Sequence, residues 1–148
     1  MLQFPTPFRL ITNNSTVNGN SQLPTNATEG FMVSEDLLNS LNRSLKRDNG
    51  KLLLQSNCED VAVHMRNIAC CKASFRCIKV DNEVKNLQTS STIKRIPKRT
   101  EKWIQLGGDR AQGFGWSSVP LLPDRGTTET EVAYKRTSTA IHRCLLEP

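Results

Sequence analysis

The stretch that most constrains the fold is Asn49 to Met65. Asn49 and Gly50 make a turn signal, Leu52, Leu53 and Leu54 follow in succession, and Gln55, Ser56 and Asn57 lead into Cys58, Glu59, Asp60, Val61, Ala62, Val63, His64 and Met65. Three leucines in a row do not alternate between an apolar and a polar side, so a strand over residues 51–55 must be covered on both faces. The polar residues after it open a helix, expected over residues 58–71 with Val61, Met65, Ile68 and Ala69 inward. In an open α/β sheet, ligands bind outside the carboxyl ends of the strands, so Ser56, Asn57 and Glu59 stand at a candidate site edge.

Around this unit the remaining elements follow from local signals. Ser34 reads as a helix N-cap, with Val33 and Leu38 at the two staple positions around it. Glu35 and Asp36 suit the positive start of that helix and Lys46 and Arg47 its negative end. Leu37, Leu38, Leu41 and Leu45 mark its apolar face, and Gly50 is placed to stop it, giving a helix over residues 35–48. A second strand is expected over 75–80 and a closing strand over 140–146. Helix–strand–helix–strand order predicts α/β layers in a single domain over residues 1–148. Residues 12–30, rich in Asn, Ser, Thr and Gly, read as a loop. Residues 85–127 read as a long basic insertion or loop containing Gly107, Gly108, Gly113, Gly115, Pro120 and Pro123. Its glycines are not followed by the Gly-Lys-Ser/Thr of a phosphate loop.

The 148 residues suffice for one core, but with 36% hydrophobic and 5% aromatic residues that core is modest. A net charge of +6 and a pI near 9.3 suit an anionic partner, nucleic acid first. Lys94, Arg95, Lys98, Arg99 and Lys102 concentrate that charge and are candidates to track a phosphate backbone. Trp103 and Trp116 either stack on bases or pack the loop on the sheet.

Cys58, Cys70, Cys71, Cys77 and Cys144 have no framework spacing and no C-x-x-C pair, which predicts reduced thiols, an intracellular reducing compartment and no metal site. Asn13, Asn14, Asn26 and Asn42 head sequons that fall by chance in an Asn/Ser/Thr-rich chain. Pro5 and Pro7 interrupt the one N-terminal apolar run, and no run reaches the length of a membrane span, so neither a signal peptide nor a membrane partner is expected. There is no Ser-His-Asp or Cys-His arrangement for covalent catalysis.

Three segments together resemble the C-terminal half of the tRNA (guanine-N7-)-methyltransferases. These are Phe4, Pro5, Thr6, Pro7, Phe8 and Arg9; Gln55, Ser56, Asn57, Cys58, Glu59 and Asp60; and Thr128, Glu129, Thr130 and Glu131 followed by Ile141 to Leu146. They are similar to the family's F-P-D-P motif after its fourth strand, its T-D turn after the fifth, and its T-x-x-E before the last. The resemblance implies a Rossmann-like class I methyltransferase sheet, S-adenosylmethionine as methyl donor and tRNA as partner. It implies catalytic roles at Glu131 and Thr6 and substrate binding by Arg9, Asn57, Thr128, Glu129, Thr130 and Glu131. Thr6 and Asn57 stand where the family has acids. The family's cofactor-binding half has no counterpart, so the resemblance implies a truncated chain. The alternative is a non-catalytic basic RNA-binding or accessory module of the same descent.

Guanine N7 carries a free lone pair and no proton, so attack on a sulfonium methyl needs no general base. Such catalysis is mostly positioning, helped by a carboxylate that offsets charge developing on the base.

Overall fold

A computed structural model describes residues 2–3, 33–80, 83, 98–122, 128, 131–132, 136–137 and 139–148. Residues 2–3 and 98–100 are described in backbone only. The elements are β1 (Leu2–Gln3), α1 (Glu35–Arg47), β2 (Leu52–Ser56), α2 (Glu59–Lys72), β3 (Arg76–Cys77), α3 (Lys98–Gln105), β4 (Trp116–Ser117) and β5 (His142–Glu147). The expected loop at 12–30 lies outside the described residues.

The fold is mixed α/β. Its sheet runs β1-β2-β5-β3, and β4 also pairs with β5. β1 and β2 are parallel, while β2, β3 and β4 all pair with β5 antiparallel. The β2–β5 ladder is in register along all of β2, from Leu52 opposite Leu146 to Ser56 opposite His142. Every residue of β2 is buried, as the leucine run requires.

The two faces of this ladder differ chemically because successive side chains point to opposite sides. Leu52, Leu54, Cys144 and Leu146 join Val61, Ala62, Met65 and Ala69 of α2 in the core. The opposite face carries Gln55 and Arg143, which are register partners. α1 closes the core through Leu38, with no exposed area, and the staple residue Val33. Ser34 caps this helix by accepting the Leu37 N–H at 3.2 Å. Asn42 ties α1 to α2 by donating from its amide to the Ala73 carbonyl at 2.9 Å.

Three local expectations are corrected. The stop of α1 is Asn49, which takes the left-handed conformation at φ 52°, while Gly50 donates its N–H back to the Leu45 carbonyl. Strand β3 covers Arg76–Cys77 instead of 75–80, because Gly115 and β4 take over the same edge of β5. The 85–127 segment is not loop throughout, since it contains α3 and β4. Two glycines read as loop residues end α3: Gly107 turns at φ 78°, and Gly107 and Gly108 donate to the carbonyls of Ile104 and Trp103. That is the paired bonding of a Schellman motif. The Trp103 indole lies over Gly108, where any Cβ would run into the ring, and donates its N–H to the Asp109 carbonyl at 3.0 Å. Trp116 is buried in the core, which decides its role in favour of packing.

Leu54→Ala removes a fully buried side chain from the central ladder. Its expected cost is about 2–5 kcal/mol, read as a lowered urea midpoint with an unchanged slope.

Candidate functional site

The carboxyl end of β2 is shaped by its own side chains. Ser56 turns back and its hydroxyl accepts the Cys58 N–H at 3.1 Å, which bends the chain from strand to helix. Cys58 is the N-cap of α2, through its backbone and without a side-chain cap bond. Asn57 therefore lies one residue before the cap, half-buried on the turn.

Glu59, in the first turn of α2, is buried to 2% exposure and suits the positive helix start. One oxygen of its carboxylate accepts the Ala111 N–H at 2.7 Å and the Arg110 Nε–H at 2.9 Å. The loop after α3 is thereby fastened to the start of α2.

A second buried carboxylate lies on the opposite face of the sheet. Thr128 and Glu131 form a reciprocal capping box. The Glu131 N–H donates to the Thr128 hydroxyl at 3.2 Å, and the Thr128 N–H donates to Glu131 Oε2 at 3.0 Å. The other oxygen, Oε1, accepts both Nε and Nη2 of Arg143. Arg143 and Glu131 are 5% and 1% exposed, so the pair is almost fully withdrawn from water. Gln55 Nε2 reaches Thr128 Oγ1 at 3.5 Å, joining β2 to the same turn. His142, opposite Ser56, is also buried at this end of the ladder.

Of the sequence candidates, the structure brings together Thr128 and Glu131 and links their turn to β2 through Gln55, two residues before Asn57. Glu131 is committed through both oxygens to Thr128 and Arg143, so it holds the turn in place and its charge is already balanced. Thr6, Arg9, Glu129, Thr130, Lys94 and Arg95 lie outside the described residues. Lys98 and Arg99 open α3, and Lys102, half-buried, sits in its second turn. Sequence reading missed Arg143. Its signal was an arginine just before the apolar run Cys144–Leu146, on the side of the strand opposite to Cys144.

Among the described residues no group of His, Cys, Asp and Glu is arranged to hold a metal ion, and no helix is long and apolar enough to cross a membrane. Compared with protein-family models, curated proteins and solved structures, the chain gives no significant match to any of them.

Removing one partner of the buried pair strands the other charge. Glu131→Ala is expected to cost about 3–5 kcal/mol, and Arg143→Met a similar amount. The double variant Glu131→Met/Arg143→Met is expected to lose clearly less than the sum, in a double-mutant cycle of urea unfolding.

His64 on α2 supplies a pH dependence. Burial lowers its pKa from 6.5, opposed by the Asp60 carboxylate. The unfolded chain therefore binds the proton more readily. The stabilisation is complete above the unfolded value and is lost as pH falls through the lowered folded value. His64→Gln should flatten that decline in the urea midpoint measured against pH.

Proposed function

We propose that this chain forms the guanine-facing side of a site that methylates N7 of guanine in tRNA. The observation that carries the reading is the meeting of two distant segments of the resemblance. The turn at Gln55–Asn57 and the turn at Thr128–Glu131 join through Gln55 and Arg143 on paired strands. The third segment, Phe4 to Arg9, directly follows Gln3 in the chain, and Gln3 is in register with Gln55.

In this reading Asn57 offers an amide to the base, and Thr128 and Glu131 are positioning residues, bonded to each other at the two ends of the T-x-x-E segment. By the resemblance Arg9 is the residue for phosphate or the target nucleotide, and Thr6, where the family has an acid, supplies no carboxylate. The basic residues of α3, with Lys94 and Arg95 before it, follow the tRNA backbone. The loop fastened by Glu59 connects α3 to this end of the sheet. S-adenosylmethionine would supply the sulfonium methyl. Glu59 and Glu131 are both committed to protein donors, and neither fits its ribose hydroxyls. The part of this chain is to bind and orient guanine.

A second reading, a non-catalytic basic RNA-binding module, is favoured by the neutralisation of Glu131 by Arg143 and by Thr6 and Asn57 standing in place of acids. Titration of labelled tRNA at several salt concentrations, combined with a methyl-transfer assay, tests both. Salt-dependent binding is expected, and Lys98→Ala/Arg99→Ala/Lys102→Ala should reduce the log–log salt slope by about 3. Transfer of labelled methyl to guanine N7 supports the first reading, and binding without transfer the second. Binding with no salt dependence sinks both.

A further inference from the structure

Three thiols from different elements converge at a place that the nucleotide reading does not use. Cys70 lies near the end of α2, Cys77 in β3 and Cys144 in β5. The sulfurs of Cys70 and Cys77 are 3.8 Å apart, about 1.8 Å beyond a disulfide bond length. Cys144 lies on the neighbouring strand β5, which pairs with β3. Gly115 closes over the pair: a Cβ there would stand 2.9 Å from Cys77 Cβ and 3.3 Å from its sulfur. The missing side chain at Gly115, with φ at 84°, is what leaves space for the Cys77 thiol. Arg66 places a cation in the same neighbourhood, its guanidinium 5.5 Å from the centre of the Trp116 ring.

The cluster is asymmetric. The neighbouring thiols of Cys144 and then Cys70 hold the Cys77 thiol well below the ordinary range, against the opposing effect of burial and with help from Arg66. Interaction with Cys77 pushes both Cys70 and Cys144 upward, and burial adds to it. Of the three, Cys77 is the thiol favoured to lose its proton. Cys144 has no exposed area, whereas Cys70 and Cys77 are each part-exposed.

We propose that Cys77 and Cys70 form a thiol–disulfide exchange site whose substrate is a low-molecular-weight disulfide such as glutathione disulfide. The Cys77 thiolate attacks one sulfur of that disulfide. The sulfur–sulfur bond of the small molecule breaks, its second half leaves as a thiolate and takes up a proton, and a mixed disulfide remains on Cys77. Cys70 then gives up its proton and attacks the Cys77 sulfur, expelling the second small thiol. Two protein thiols are oxidised and one small disulfide is reduced to two thiols. The product bond ties the last turn of α2 to the edge strand β3.

The test is titration of the reduced full chain with glutathione disulfide near neutral pH, followed by acid quenching, intact mass and peptide mapping. The expected product has lost two hydrogens and carries a Cys70–Cys77 link. Cys70→Ser should stop at a glutathione adduct on Cys77. Cys77→Ser should abolish the link and slow consumption of the oxidant about 10-fold or more. Cys71→Ser should behave as the unmodified chain. Adducts accumulating on exposed Cys71 without a Cys70–Cys77 link, or a Cys77–Cys144 link in its place, would overturn the proposal. Should Cys77→Ser fail to fold by circular dichroism, limiting iodoacetamide on the unmodified chain decides. Alkylation of Cys77 ahead of Cys71 supports the site, and the reverse order rejects it.

Discussion

The antiparallel ladder between β2 and β5 is the interaction on which the rest of the structure depends. It joins Leu52–Ser56 to the strand His142–Glu147 along the whole of β2. β1 is held by one edge of that pair, and β3 and β4 by the other. The apolar face of the pair gives α2 its seat, and α2 in turn receives α1 through the Asn42 amide and the Leu38 side chain. Without β5, β2 loses its long partner, and β3 and β4 lose the strand they pair with.

Two buried carboxylates do for the connecting segments what the ladder does for the strands. Glu59 collects the backbone of Ala111 and the side chain of Arg110, and Glu131 collects the backbone of Thr128 and the side chain of Arg143. Each satisfies a loop N–H that would otherwise be buried without a partner, and each is neutralised by an arginine. A charge with both kinds of donor tolerates burial, whereas a charge with neither would take up a proton. The pattern also bears on function. A carboxylate so placed has little charge left to offer a ligand, which moves the chemistry of the candidate site toward Asn57 and the basic residues near α3.

The parts of the fold that were legible in the sequence are those fixed by neighbours in the chain. Ser34 with Val33 and Leu38 announces α1 within six residues, and Leu52–Leu54 announces a buried strand by its composition. α3 was not legible. Its residues Lys98–Gln105 include two apolar side chains, Trp103 and Ile104, and Trp103 is partly covered by the core and by the return of Gly108 beneath its ring, not by its own helix. β4 is two residues long and exists because β5 offers an edge. Of the site, Thr128 and Glu131 were found through a spacing that is also the spacing of a capping box. The partner that defines Glu131, Arg143, was invisible because it lies twelve residues away on a strand. Asn57 was placed on the right turn and one residue away from the cap.

The register of β2 against β5 has a further consequence during synthesis. The two strands are separated by about 90 residues, which a ribosome adds in roughly 5–20 s. Through that interval Leu52, Leu53 and Leu54 have emerged while the edge they must pair with has not been made. α1 and α2 can form locally, but the sheet that seats them waits for residues 142–147. A nascent chain in this state presents an apolar, hydrogen-bond-hungry strand, the kind of segment that chaperones hold and that other unfinished chains capture.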